Sequence, residues 1–190
     1  MLKRKWESLY RFPSNLKLFV IALLASNLAV SNFHCNENHP EPVCPVEYKI
    51  EKDQQYTLTG KWKFVGFESL ETRSMEYPPC GDNETFIIFS DSMPAREGAA
   101  FRYPYLFQGR TLINSFVGTY VADSSNTIKL SETIKSRVNG TEPIERFQQK
   151  FHRALESTER YYITDNLLQL VYDKGSRNLL FVAQNDTILF

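Results

Sequence analysis

Within residues 141–155 the spacing of apolar residues changes from about two to about 3.6, and the folded part of the chain makes that change only there. Ile144, Phe147, Phe151, Ala154 and Leu155 form one stripe. Thr141 stands at the capping position, and Pro143 sits in the first turn, where its missing N–H leaves no bond unmade. Glu145, Gln148, Gln149, Arg153 and Glu156 fall on the opposite side. The pattern predicts one helix that lays a single face on a sheet. His152 falls off the stripe and is expected to be solvated.

The remainder of the domain reads as strands and turns. Residues 56–67 alternate, with Trp62, Phe64 and Gly66 on one face. Residues 85–89 form a short apolar strand, residues 111–121 a longer one interrupted by Gly118, and residues 127–134 alternate again. Residues 101–107 place Phe101, Tyr103, Tyr105 and Phe107 on one side. Pro104 cannot donate to a ladder, which assigns this segment to an edge strand or an extended loop. After the helix come residues 161–164, 167–172 and 178–183, separated by turns, with a last short strand at 188–190. Short turns between consecutive strands imply antiparallel pairing. The expected fold class is α+β: a mainly antiparallel, strongly curled, barrel-like sheet with one packed α-helix inserted before the last strands. The 14 Phe and 10 Tyr suit such a sheet. Trp62, Phe116, Tyr120, Phe147 and Phe151 are expected to meet in one interior.

Ahead of this domain, Lys3, Arg4, Lys5 and Arg11 precede an apolar run at residues 16–30. A membrane span takes about 20 residues, so the run has the length and flanks of a signal peptide instead. Two ends are open. Ala29 and Ser31 offer small residues at the sites a signal peptidase reads, giving a signal at residues 1–31 and a soluble secreted chain. Alternatively, Cys35 becomes a lipid-modified first residue and the signal ends at about residue 34. Asn32, Phe33 and His34 are bulky for such a site, whereas the polar, acidic, Pro-rich residues 36–47 suit a solvated tether. Residues 35–54 are therefore read as a flexible tether and residues 55–190 as the folded domain. The expected location is the outer membrane or periplasm as a lipoprotein, or outside the cell as a secreted protein. If Cys35 carries lipid, Cys44 and Cys80 remain as a disulfide pair in an oxidising compartment; if not, the pairing is open.

Charge and motifs narrow the chemistry. The formal net charge is zero, which argues against a nucleic-acid partner. The sequence has no phosphate-binding glycine loop, no nucleophile elbow and no HExxH pair. His34, Cys35, His39 and Cys44 lack zinc-site spacing. A general base within the domain would have to be His152 or a carboxylate. No catalytic residue, cofactor or metal ligand is assigned, and the chain is expected not to be an enzyme.

The run Gly109-Arg110-Thr111 through Asn114-Ser115-Phe116-Val117-Gly118-Thr119-Tyr120 resembles the central motif of META domains. Leu58-Thr59-Gly60-Lys61-Trp62 is similar to that family's opening segment, residues 86–89 to its second strand, and Thr127, Ile128 and Thr133 to the strand after the motif. Glu145, Phe147 and Leu155 fit its helix and residues 167–182 its closing hairpin, so the resemblance spans about residues 56–182. Ile113 stands where many members carry Cys, and residues 90–107 look like an insertion. The motif residues Gly60, Trp62, Asn114, Phe116, Gly118 and Tyr120 are read as structural: Gly118 permits a bulge or a close approach, Asn114 satisfies neighbouring backbone, and Phe116 and Tyr120 share a buried face.

The resemblance implies a bacterial envelope protein or lipoprotein with a role in envelope integrity or stress and no general catalytic activity. The expected partner is an envelope protein or surface component, with the membrane reached through lipid on Cys35. Two other functions compete. Gly60-Lys61-Trp62 is also similar to the start of lipocalins, which implies a barrel carrying a small apolar ligand. A hydrolase or hydrolase inhibitor is the third. Phe101, Tyr103, Tyr105 and Phe107, beside Arg102 and Arg110, are the candidate interaction surface, and covering the end of the barrel is their competing role.

Overall fold

Among the described residues, alternation gives ten antiparallel strands: β1 (Gly60–Ser69), β2 (Met75–Glu76), β3 (Phe86–Ser90), β4 (Tyr105–Arg110), β5 (Ser115–Ala122), β6 (Ile128–Leu130), β7 (Ile134–Lys135), β8 (Arg160–Thr164), β9 (Leu167–Tyr172) and β10 (Arg177–Ala183). The helix α1 (Glu142–Glu156) falls between β7 and β8. This computed structural model describes residues 42–52, 54–81, 83–92 and 102–184. The expected signal peptide at 1–31, the expected lipid attachment at Cys35, Phe101 of the expected interaction surface and the expected strand at 188–190 lie outside the described residues.

The strands run in the order β6-β5-β4-β3-β1-β10-β9-β8, with β2 added to β1 and β7 to β5. The two ends of the sheet meet. Thr127 bridges Arg160, Ile128 N–H donates to Glu159 C=O at 3.1 Å, and Tyr161 N–H donates to Asn126 C=O at 2.9 Å. The sheet thus curls into a nearly closed barrel, which leaves little unpaired edge.

The interior is a shared aromatic core. The Phe151 ring lies 5.2 Å from Phe64, 5.8 Å from Phe116 and 6.4 Å from Phe181, centroid to centroid. Trp62 is buried, and its Nε1–H is satisfied by Leu58 C=O at 2.9 Å. Trp62, Phe116, Tyr120, Phe147 and Phe151 all belong to this one cluster. Truncating a ring of this kind to Ala costs about 3–5 kcal/mol.

Several segments depart from the sequence reading, each for a local physical reason. A bulge at Val65 breaks the alternation of β1: Phe64 pairs with Phe181 and Gly66 with Leu180. Phe67, not Gly66, therefore joins Trp62 and Phe64 in the core. Gly66 instead admits β2, since a Cβ there would lie 2.7 Å from Met75 Sδ. Residues 105–107 do not form an edge: they open β4, which lies between β3 and β5. Pro104 precedes the first paired residue, Tyr105, so its missing N–H removes no ladder bond. Residues 127–134 divide into β6 and β7 because Ser131 turns the chain, its Oγ accepting the Thr119 N–H at 2.9 Å.

From Pro42 onward, the stretch read as a tether is fastened to the domain. Cys44 and Cys80 form a disulfide. Cys44 N–H donates to Pro78 C=O at 3.1 Å and Cys80 N–H to Pro42 C=O at 3.2 Å. Farther along, the buried Asn166 side chain donates to Lys49 C=O at 2.8 Å and accepts from Glu51 N–H at 3.1 Å. Val46 packs on a small apolar cluster of Val65, Leu180 and Val182 outside the main core. A solvated linker has no such partners; this one crosses an apolar patch and an available amide.

Candidate functional site

The family-like motif converges on the β4–β5 turn. Gly109 and Arg110 end β4, Asn114 closes the turn, and Phe116, Gly118 and Tyr120 follow on β5. Thr111 N–H donates to Asn114 C=O at 2.7 Å, which fixes the turn. No left-handed backbone is needed at Asn114. Its side chain works as a clamp instead. Nδ2 donates to Val138 C=O at 2.9 Å and to Gln148 Oε1 at 2.9 Å. Oδ1 accepts from Val138 N–H at 2.8 Å and Ser136 Oγ–H at 2.9 Å. Both hydrogens and both lone pairs are engaged.

This clamp holds the strip 133–139 beside α1 and leaves a cleft of about 580 Å³ between them. Asn114, Gln148 and His152 lie at its floor, and Lys135, Arg137, Glu145 and Gln149 are on its walls. Gln148 is only 8% exposed. Its Oε1 accepts from Asn114 and from Thr111 Oγ–H at 2.9 Å, whereas its amide hydrogens have no partner among the described residues.

His152 was expected in solvent but is 3% exposed, with its ring edge-on to Phe116 at 5.2 Å and Phe151 at 5.7 Å. Burial, then the positive charge of Lys135, lowers its pKa to about 4, so the ring is neutral near neutral pH. Nδ1 lies 3.2 Å from Thr133 Oγ. Thr133 Oγ–H also has the Glu156 carboxylate at 3.1 Å, an acceptor only. This assigns the Thr133 proton to Glu156 and the ring hydrogen to Nδ1, leaving Nε2 as a buried acceptor without a partner among the described residues. The hydroxyl sits between imidazole and carboxylate. A nucleophile triad requires the imidazole in the middle, so these three groups lack that order.

Of the four aromatics read as an interaction surface, Phe101 lies outside the described residues, and Tyr103, Tyr105 and Phe107 do not present a shared exposed face. Phe107 is 0% exposed and packs on Phe89 at 6.1 Å and Phe116 at 6.4 Å. Tyr105 is half-buried against Tyr120 at 5.6 Å. Tyr103 is half-buried under the Arg102 guanidinium, 5.6 Å from its ring centre. Phe107 turns inward because Gly118 opposite leaves room for its ring: a Cβ there would lie 2.7 Å from Phe107 Cε1. The barrel interior is also occupied, by Trp62, Phe64, Phe89, Phe107, Phe181, Leu168 and their neighbours, where a lipocalin-like carrier needs a chamber.

Sequence reasoning missed Gln148 and His152. They recur at i, i+4, one step beyond Phe147 and Phe151, so a wider stripe would have included them. Among the described residues, no group of three or more His, Cys, Asp or Glu is placed to hold a metal ion.

Comparison with curated protein sequences gives no match. Among solved structures, the chain is similar to an NMR structure of a protein from Burkholderia xenovorans, with a TM-score of 0.51 and 14% identity over 76% of this chain and 99% of that one. At this identity the likeness shows the fold alone. A crystal structure of a DUF4847 family protein from Bacteroides vulgatus aligns with a TM-score of 0.45 and 17% identity, over 67% of this chain and 94% of that one. The META domain family model matches residues 56–186, which contain all ten strands, α1 and the clamp formed by Asn114. The chain belongs to the META domain family.

Proposed function

We propose that this META-domain protein is a non-catalytic module of the bacterial cell envelope, anchored by lipid on Cys35, that binds a protein or surface component in the cleft beside α1. The Cys44–Cys80 disulfide and the family together point to an exported protein. Among the described residues, no helix is long and apolar enough to cross a membrane. The observation that carries the binding reading is the cleft floor, where Gln148 is buried and oriented yet keeps its amide hydrogens unpaired. An oriented, unpaired donor facing a cleft suits recognition.

Two measurements test this. Intact mass of the mature protein from its native membrane reads the first residue, the lipid and the disulfide together; a chain beginning at Asn32 without lipid rejects the anchor. A photo-cross-linker at Asn139, on the cleft wall, should capture a partner in the envelope. An unreacted cross-linker there rejects binding in the cleft.

A further inference from the structure

Resting on the binding reading, we infer that the cleft beside α1 is an oxyanion subsite, taking a carboxylate or phosphate oxygen on the Gln148 amide between Lys135 and Arg137. The floor comes first. Gln148 Oε1 is held by Asn114 and Thr111, which leaves the NH2 end of the amide as the part that can meet a ligand. That end donates only, so it selects an acceptor. Gln148 is 8% exposed as a residue, and the orientation of its amide is set before any ligand arrives.

The walls add charge of the matching sign. Lys135 and Arg137 both line the cleft. Lys135 Nζ makes a loose ion pair with Glu156 Oε1 at 4.0 Å, and Arg137 has no ion pair among the described residues. Among the described residues that line the cleft, two cations face one carboxylate, Glu145, and a neutral His152 ring; Glu156 balances Lys135 from outside the lining and leaves Arg137 as the cation without an ion pair. A metal ion or ammonium group would face the wrong end of Gln148. Guanidinium and ammonium beside an amide N–H are donors that an oxyanion uses together.

The same strip also selects what carries the oxyanion. Ile134 is 68% exposed and Val138 55%, flanking Lys135 and Arg137 in sequence. Apolar shoulders beside cations favour an oxyanion on an apolar chain, such as a fatty carboxylate or a phospholipid headgroup, over a bare ion.

The test uses the 15N-labelled full chain in non-ionic detergent, with sodium hexanoate, sodium acetate and inorganic phosphate as probes and sodium chloride as the ionic-strength control. The Gln148 side-chain NH2 resonances should shift saturably with the oxyanions and not with chloride, with hexanoate ahead of acetate. Replacing both exposed cations, Lys135→Gln with Arg137→Gln, should weaken this by about tenfold, whereas Lys174→Gln, in the turn after β9, should leave it unchanged. Vesicles of phosphatidylcholine with phosphatidylglycerol separate the sources: competition with hexanoate assigns a lipid headgroup, and its absence a free oxyanion. Gln148 resonances that follow chloride, or a double variant that binds like the wild type, overturn the inference. If Gln148 ignores every probe while the Asn139 cross-link persists, the oxyanion class fails and the binding module stands.

Discussion

Asn114 Nδ2 donates to Gln148 Oε1 at 2.9 Å, tying the β4–β5 turn to a helix 34 residues farther along the chain. The same side chain brackets Val138 through both its N–H and its C=O. Asn114→Ala removes all of these bonds and leaves Gln148 with Thr111 alone. Urea unfolding should show a loss of about 2–3 kcal/mol, and the Val138 amide should exchange faster while Val117 on β5 changes little. Asn114→Asp keeps the acceptor side but sets an oxygen against Gln148 Oε1, so it should not rescue the loss. Equal stability of the wild type and Asn114→Ala would reduce the clamp to an incidental contact.

Gly118 and Phe107 pair directly across β4 and β5, and the missing Cβ of one is the space filled by the ring of the other. Gly118→Ala should cost about 1–3 kcal/mol by overpacking. Phe107→Leu, which replaces the ring with a shorter side chain, should cost on its own through lost burial but restore part of the Gly118→Ala loss when combined. A double-mutant cycle in urea measures that coupling; strictly additive losses would mean that the ring escapes the new methyl elsewhere.

Much of this fold was legible because its signals are local. The period of two marks Trp62 and Phe64, and the period of 3.6 marks Phe147, Phe151 and Leu155, so the contributors to the core can be named before any pairing is known. Position in the sheet is not local. Pro104, just ahead of β4, reads as an edge signal, yet β4 lies inside the sheet because the chain returns through β5. The bulge at Val65 belongs to the pairing of β1 with the distant β10, and β2 is a two-residue strand too short to leave a pattern. The cleft was least legible. Gln148 and His152 score as polar, and their burial is stabilised by Thr111, Asn114 and Thr133, which reach them only after folding. The family resemblance located Asn114 without revealing that its partners would be Gln148 and Val138.

The Cys44–Cys80 bridge closes a loop across 36 positions and fastens the start of the segment that runs to Asn166. Chain entropy assigns such a crosslink about 4 kcal/mol. Dithiothreitol should therefore lower the unfolding midpoint. It should also speed tryptic cleavage after Lys49 and Lys52, both exposed on this strap. Asn166→Ala should speed the same cleavages with the disulfide intact, because it frees Lys49 C=O and Glu51 N–H. Cleavage that is as slow in the reduced protein as in the oxidised one would show that Val46 and Asn166 hold the strap without help.

His152 should make stability depend on acid. The ring takes up a proton near 6.5 when solvated but only at about 4 when folded, chiefly because burial disfavours the cation and secondarily because Lys135 lies near. Between those values the unfolded chain holds the extra proton. The contribution is therefore whole above pH 6.5 and is lost as pH falls towards 4, by about 3 kcal/mol in all. His152→Phe keeps a ring between Phe116 and Phe151 and has nothing to protonate, so its urea midpoint should fall less steeply over this range. Lys135→Gln removes the secondary cause, raises the folded pKa towards the solvated value, and should shrink the loss without abolishing it. If His152→Phe follows the wild-type slope between pH 6.5 and 4, the acid sensitivity belongs to the carboxylates and the buried imidazole has no part in it.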